Sequence, residues 1–290
     1  MIIDPRDFST PDAIDKWHEI HGIETPRNYL GVSIIGHDCQ RYLWLTFRWA
    51  VIEKFSGRMY RLFRRGQLEE TQIVDDLKRI GCVVTYTGDN QYKVNFGCWI
   101  KGHLDGIIEN GLPEAPKKRH VLECKTHSDK SFKELVKNGV EKAKPMHYAQ
   151  MQCYMLGIKT DRALYFAVNK NDDTIYTERV ELDKEKANNY LDRAKDIVTS
   201  EFMPRKLTNS SSYFKCKICP CYDFCFGSKV CKERNCRTCK YFFALEDSTA
   251  RCTFYEPDPY LAVIIPYNIQ INGCSHFEMR KDLSGELEEE

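Results

Sequence analysis

The sequence predicts an α/β protein, a mixed sheet with helices packed on it, followed by a cysteine-rich, metal-binding C-terminal module. Three observations carry this. Helix-period segments precede a run of short apolar strands. Further helices and two more strands follow that run. Eight of the fourteen cysteines then fall between Cys216 and Cys252.

Residues 1–37 read as an irregular lead-in. Two helices are predicted over 38–80, and the second, RLFRRGQLEETQIVDDLKRIG (61–81), is amphipathic and stops at Gly81. Residues 82–126 read as one antiparallel meander. It comprises the alternating stretch Gln91–Phe96 and the apolar segments GCWIKGHLDGII (97–108) and HVLECKTH (120–127), with turn residues NGLPEAP (110–116) between the last two. Helices are predicted over 131–158, where Pro145 suits a first helical turn. RALYFAVNK and TIYTERV supply two strands within 161–180, a helix spans 183–202, and PRKLTNSSS (204–212) is a polar linker. No internal repeat is evident. The length suits one core of ordinary domain size with accessory parts, divided here as 1–228 and 229–290. Removing everything after Ser228 is therefore expected to leave a folded core.

Asp105, Glu123 and Lys125 are the first candidate site. The carboxylates lie 18 residues apart and the lysine follows the second by two positions. Side chains alternate along a strand, so Glu123 and Lys125 project to one face while Cys124 turns to the other. Two carboxylates suit Mg²⁺ or Mn²⁺, and a neighbouring ammonium orients or deprotonates an attacking water or neutralises charge on a phosphate. These are the parts that phosphodiester hydrolysis needs. On the helix that follows, Gln150 and Tyr154 lie four apart on one face.

These residues resemble the RecB-like branch of the PD-(D/E)xK nucleases, whose core is restriction-endonuclease-like. Four motifs occur in the order of that branch: Gly66 to Glu70, Gly102 to Asp105, Glu123 to Lys125, and Gln150 to Tyr154. The resemblance implies Glu70, Asp105 and Glu123 as ligands of Mg²⁺ or Mn²⁺, with the carbonyl of Cys124 as a further one. It implies Lys125 as the catalytic lysine, and Gln150 and Tyr154 as residues positioning substrate or lysine. The departure lies in the first motif, where many relatives have His and this chain has Glu70. Glu69 is the alternative if the register is off by one. The implied activity is that of a DNA exonuclease of the kind that also occurs in phage genomes, acting in replication, recombination or repair. No helicase motif is present, so a helicase or recombination partner would be a separate chain.

The cysteines form two clusters. The N-terminus MIIDPRDFSTPDAIDKW lacks the apolar run of a signal peptide, so a cytoplasmic protein with metal-bound rather than disulfide-bonded cysteines is expected. Cys216, Cys219 and Cys225 have C-x2-C-x5-C spacing, and Cys39 lies far upstream; thiolates in this pattern suit zinc or iron–sulfur clusters alike. Similarity to the helicase-associated AddB type and the CRISPR adaptation nucleases implies a [4Fe–4S] cluster on Cys39, Cys216, Cys219 and Cys225, with Cys221 a spare thiol or an alternative ligand. In the second cluster, Cys236, Cys239, Cys252 and Cys274 match a small zinc ribbon, with Cys231 and His276 competing for the fourth place.

The net charge of +1 excludes a bulk polycation. DNA contacts must then come from local patches, with RWAVIEKFSGRMYRLFRR (48–65), KKRH (117–120) and KNGVEKAKP (137–145) as candidates. The end GELEEE (285–290) reads as a solvated acidic tail. No stretch reaches the roughly 18–20 apolar residues of a membrane span. The rival readings are a catalytically silent nucleic-acid-binding scaffold and an iron–sulfur redox protein. The chain lacks a Gly-rich dinucleotide fingerprint, which disfavours a redox enzyme.

Overall fold

The computed structural model describes residues 9–22, 25–227 and 230–285. The expected boundary at 228–229 and residues 286–290 of the acidic end lie outside them. The lead-in is more ordered than its sequence suggests. Helix α1 (Thr10–His21) starts at Ser9, whose hydroxyl accepts from the Asp12 amide, with a proline in the first turn. Strand β1 (Leu30–Gly31) follows. Then come α2 (Gln40–Phe47) and the long α3 (Gly57–Arg79), which is capped by Ser56 and so begins earlier than its apolar pattern indicates.

The expected meander is divided between two sheets. Its strands are β2 (Val83–Thr85), β3 (Lys93–Asn95), β4 (Ile100–His103), β5 (Gly106–Asn110) and β6 (His120–His127). After the crossover helices α4 (Asp129–Ala143) and α5 (Pro145–Gly157) come β7 (Arg162–Asn169) and β8 (Ile175–Glu181). The main sheet has the order β2-β5-β6-β7-β8, whereas β3 and β4 pair with β1 in a smaller sheet of order β1-β4-β3. The split occurs at Leu104 and Asp105. Leu104 is fully buried and its amide bonds the Tyr92 carbonyl, so the chain leaves one sheet there and enters the other at Gly106.

Pairing is antiparallel throughout the main sheet except between β6 and β7, which run parallel and need the α4–α5 crossover. Strand β7 is buried on both faces and reads as a continuous apolar run, while edge strand β8 alternates, turning Tyr176, Glu178 and Val180 inward and Thr177, Arg179 and Glu181 outward. Leu122 and Cys124 of β6 face a cluster containing Ile73, Val74 and Leu77 of α3. Val121 joins the larger core on the opposite side, with α2, α5 and α6 (Lys184–Thr199). Glu123 shares that side and is itself fully buried.

Short helices α7 (Phe214–Lys217) and α8 (Tyr222–Phe226) precede a three-stranded sheet of β9 (Phe242–Ala244), β10 (Ala250–Cys252) and β11 (Val263–Ile264), then α9 (Tyr267–Asn272) and α10 (Lys281–Ser284). Among the described residues, those from 230 onward contribute apolar side chains to the larger core. Phe242, Ala250, Ile265 and Leu283 belong to the same apolar cluster as Trp44, Phe47 and Trp99. Arg237 explains the join. Its guanidinium is fully buried, 4.0 Å from the Trp49 ring centre and 4.5 Å from that of Phe47, and donates to the carbonyls of Phe47 and Asn28 and to Gln270 Oε1 at 2.9, 2.9 and 3.0 Å. Among the described residues no helix is long and apolar enough to cross a membrane.

Candidate active site

Asp105 stands at the seam between the sheets, which aims its carboxylate at the middle of β6. Its Oδ2 accepts from the Cys124 amide at 2.8 Å and lies 3.5 Å from Lys125 Nζ. The ammonium also donates to the Cys124 carbonyl at 3.0 Å and pairs with Glu123 Oε1. Glu123 Oε2 has no hydrogen-bond partner among the described residues. Glu70 enters from α3 and accepts from Gln91 Nε2 at 3.0 Å. The structure therefore brings Glu70, Asp105, Glu123 and Lys125 together, and Glu70 rather than Glu69 makes the contact with Gln91.

Electrostatics express the crowding. Burial, reinforced by Asp105 and Glu70, pushes the Glu123 carboxyl up to about 8 against the pull of Lys125. Burial and then Asp105 push Glu70 up to about 7. Burial also works against the Lys125 ammonium, but Asp105 and Glu123 outweigh it and hold the group charged. Lys125 thus sits here as a fixed cation rather than a base. The Cys124 carbonyl, expected as a ligand, is engaged by that cation.

Helix α5 closes one wall. Gly102 admits it: a Cβ there would lie 2.5 Å from the Tyr154 hydroxyl, so Tyr154 packs directly on β4. Tyr154 also bonds Gln150, and both line a cleft of about 330 Å³ together with Asp105 and Lys125. Arg27, Lys101 and His103 line it as well. The cleft therefore combines the Asp105 carboxylate with the cations of Arg27, Lys101 and Lys125, a distribution suited to an anionic chain.

A buried network beneath Lys125 was not anticipated from sequence. The Tyr165 hydroxyl lies 2.8 Å from both His127 Nε2 and His147 Nδ1, and Ser131 Oγ is 3.2 Å from His127 Nδ1. Burial, and then nearby cations that include Lys125, push His127 down to about 4 and His147 down to about 2, so both imidazoles are neutral. Two periodicities carried the signal: His127 follows Lys125 by two on one strand face, and His147 precedes Gln150 by three on one helix face.

Cys39 caps α2 through its sulfur, 3.4 Å from the Tyr42 amide. It lines a second, smaller cavity with Cys216, Cys219, Cys221 and Cys225. Cys221, read as a spare thiol or an alternative ligand, points inward: it is 2% exposed and donates to Cys219, which lowers the pKa of that thiol. Cys236, Cys239, Cys252 and Cys274 line a third cavity with His276. Among the described residues no group of three or more His, Cys, Asp or Glu side chains is already arranged to hold a metal ion.

No protein-family model and no curated protein matches the chain. Several solved structures are similar to the chain at low identity. SSO0001 is 18% identical with a TM-score of 0.46, covering 76% of this chain and 97% of its own. LHK-Exo in complex with dAMP is 16% identical with a TM-score of 0.44, covering 63% and 89%. A phage-related exonuclease from Haemophilus somnus 129PT is 19% identical with a TM-score of 0.32, covering 45% and 66%.

Proposed function

We propose that this protein is a divalent-metal-dependent nuclease that hydrolyses phosphodiester bonds in DNA. The observation that carries the reading is the fully buried Glu123 carboxylate, with one oxygen unpartnered, beside Asp105, Glu70 and the Lys125 ammonium. Glu70 and Glu123, whose protonation is raised by burial and by Asp105, form with Asp105 a donor set suited to a hard cation, which would favour the ionised forms of both glutamates. Glu70, Asp105 and Glu123 would hold Mg²⁺ or Mn²⁺. The ion supplies Lewis-acid polarisation of a phosphoryl oxygen and activation of water.

The remaining roles belong to the chain's own residues. Lys125, kept charged, neutralises developing negative charge on the phosphate. Gln150 and Tyr154 hold the lysine and substrate in register, while Arg27 and Lys101 attract the sugar-phosphate backbone into the cleft. The motif resemblance favours an exonuclease of replication, recombination or repair, with any helicase a separate partner. It also assigns an iron–sulfur cluster to Cys39, Cys216, Cys219 and Cys225, thiols that the fold draws to one cavity from distant parts of the chain. The scaffold reading leaves the Lys125 pairing without a purpose. Purified protein incubated with end-labelled single- and double-stranded DNA in Mg²⁺, Mn²⁺ or EDTA tests the proposal. Cleavage that requires the metal supports it, and intact DNA under all three conditions overturns it.

A further inference from the structure

We infer that Cys236, Cys239, Cys252 and Cys274 form a zinc site that fastens the C-terminal segment to the core, separate from the carboxylate cluster. Three segments deliver these four thiols to one cavity of about 220 Å³. Cys236 and Cys239 flank a single 3₁₀ turn, closed by the Cys239 amide bonding the Cys236 carbonyl at 3.0 Å. This is the compact C-x2-C turn that presents two thiolates to one ion. Cys252 ends β10 opposite Phe242 of β9, which returns the chain to that turn. The fourth thiol comes from α9: the Cys236 thiol lies 3.6 Å from the Ile269 carbonyl, and Gly273, in a left-handed conformation (φ 67°), reverses the chain into Cys274.

The structure also decides between the two competitors for the fourth place. Cys231 donates to the Ala50 carbonyl at 3.3 Å inside the core and does not line the cavity. His276 lines it, but its ring stacks on Phe254 at 4.4 Å and its Nε2 lies 3.3 Å from the Tyr255 hydroxyl. Cys274 lines the cavity and is solvent-exposed, whereas Cys236 and Cys239 are buried. Four thiols amid Phe242, Phe254 and Ile265 form a soft-donor set in apolar walls, which suits Zn²⁺ and not Mg²⁺ or Mn²⁺. The thiols surround the cavity without a closed coordination shell. Binding would draw them in, with each thiol releasing its proton as its sulfur becomes a ligand.

The test uses the full chain, produced with added zinc and purified anaerobically. About one zinc per chain is expected to survive an EDTA wash, to be lost in Cys236→Ser/Cys239→Ser, and to be retained in Cys231→Ser and His276→Ala. Alkylation of the unmutated protein with N-ethylmaleimide, mapped by mass spectrometry, covers the case in which the double variant fails to fold. Cys274 is exposed, so burial cannot shield it, and its labelling is expected to be at least tenfold slower with zinc than after a stronger chelator removes it. Equal labelling of Cys274 in both states, or zinc lost in His276→Ala but kept in Cys274→Ser, overturns the assignment.

Discussion

Replacing Glu123 by glutamine removes the ionisable group that the fold disfavours most clearly in its charged form. This carboxyl titrates near 4.5 in an unfolded chain and is pushed up to about 8 in the fold. Below pH 4.5 both states hold the proton and folding carries no penalty. Between 4.5 and 8 the unfolded chain has lost the proton while the native state keeps it, so stability falls as pH rises. Each pH unit in that window is worth about 1.4 kcal/mol, so the wild type should lose about 4 kcal/mol between pH 5 and 8 that Glu123→Gln does not lose. At about 2 °C per kcal/mol for a chain of this size, the gap in melting temperature should change by about 8 °C in the variant's favour. Melting curves in EDTA across that range measure it. His127 and His147 contribute in the opposite direction below pH 6.5, because they stay neutral in the fold, but they do so in both proteins and cancel in the difference. Mn²⁺ should raise the wild-type melting temperature at pH 8 more than the variant's. A gap independent of pH would refute the claim that Glu123 is buried against its charge.

Other regions give independent expectations. Tyr165→Phe removes the hydroxyl shared by His127 and His147 and should cost about 1–3 kcal/mol in urea unfolding; an unchanged midpoint would show that the bridge contributes nothing. Arg237→Met leaves the Phe47 and Asn28 carbonyls and Gln270 without their donor, so a loss of at least about 3 kcal/mol is expected by the same measurement. A chain ending at residue 228 loses Phe242, Ile265 and Arg237 from the core and should lack a cooperative melt. A wild-type-like transition in that truncated chain would instead restore the two-part division expected from sequence.

The parts of the site that were legible in sequence are those governed by local periodicity. Alternation along HVLECKTH correctly separates Glu123 and Lys125 from Cys124, and helical spacing sets Gln150 with Tyr154 on the cleft wall. The sheet change at Leu104–Asp105 was not legible, because GCWIKGHLDGII reads as one apolar segment and the pairing of β4 with the distant β1 is what divides it. Arg237 was equally hidden. A lone arginine in a cysteine-rich segment reads as surface until Phe47, Trp49 and Trp99 are brought around it from elsewhere. The C-terminal segment read as self-contained because its cysteines are close in sequence, whereas its apolar side chains complete a core built from α2 and β4.

Single-turnover cleavage of end-labelled DNA by the wild type, Asp105→Ala and Lys125→Ala tests the central claim most directly, with binding measured in parallel. Both variants are expected to cut at least about 10³-fold more slowly in Mg²⁺ or Mn²⁺ while binding DNA within a few-fold of the wild type. Wild-type cleavage rates in both variants would contradict the assignment of this carboxylate–lysine cluster as a catalytic site.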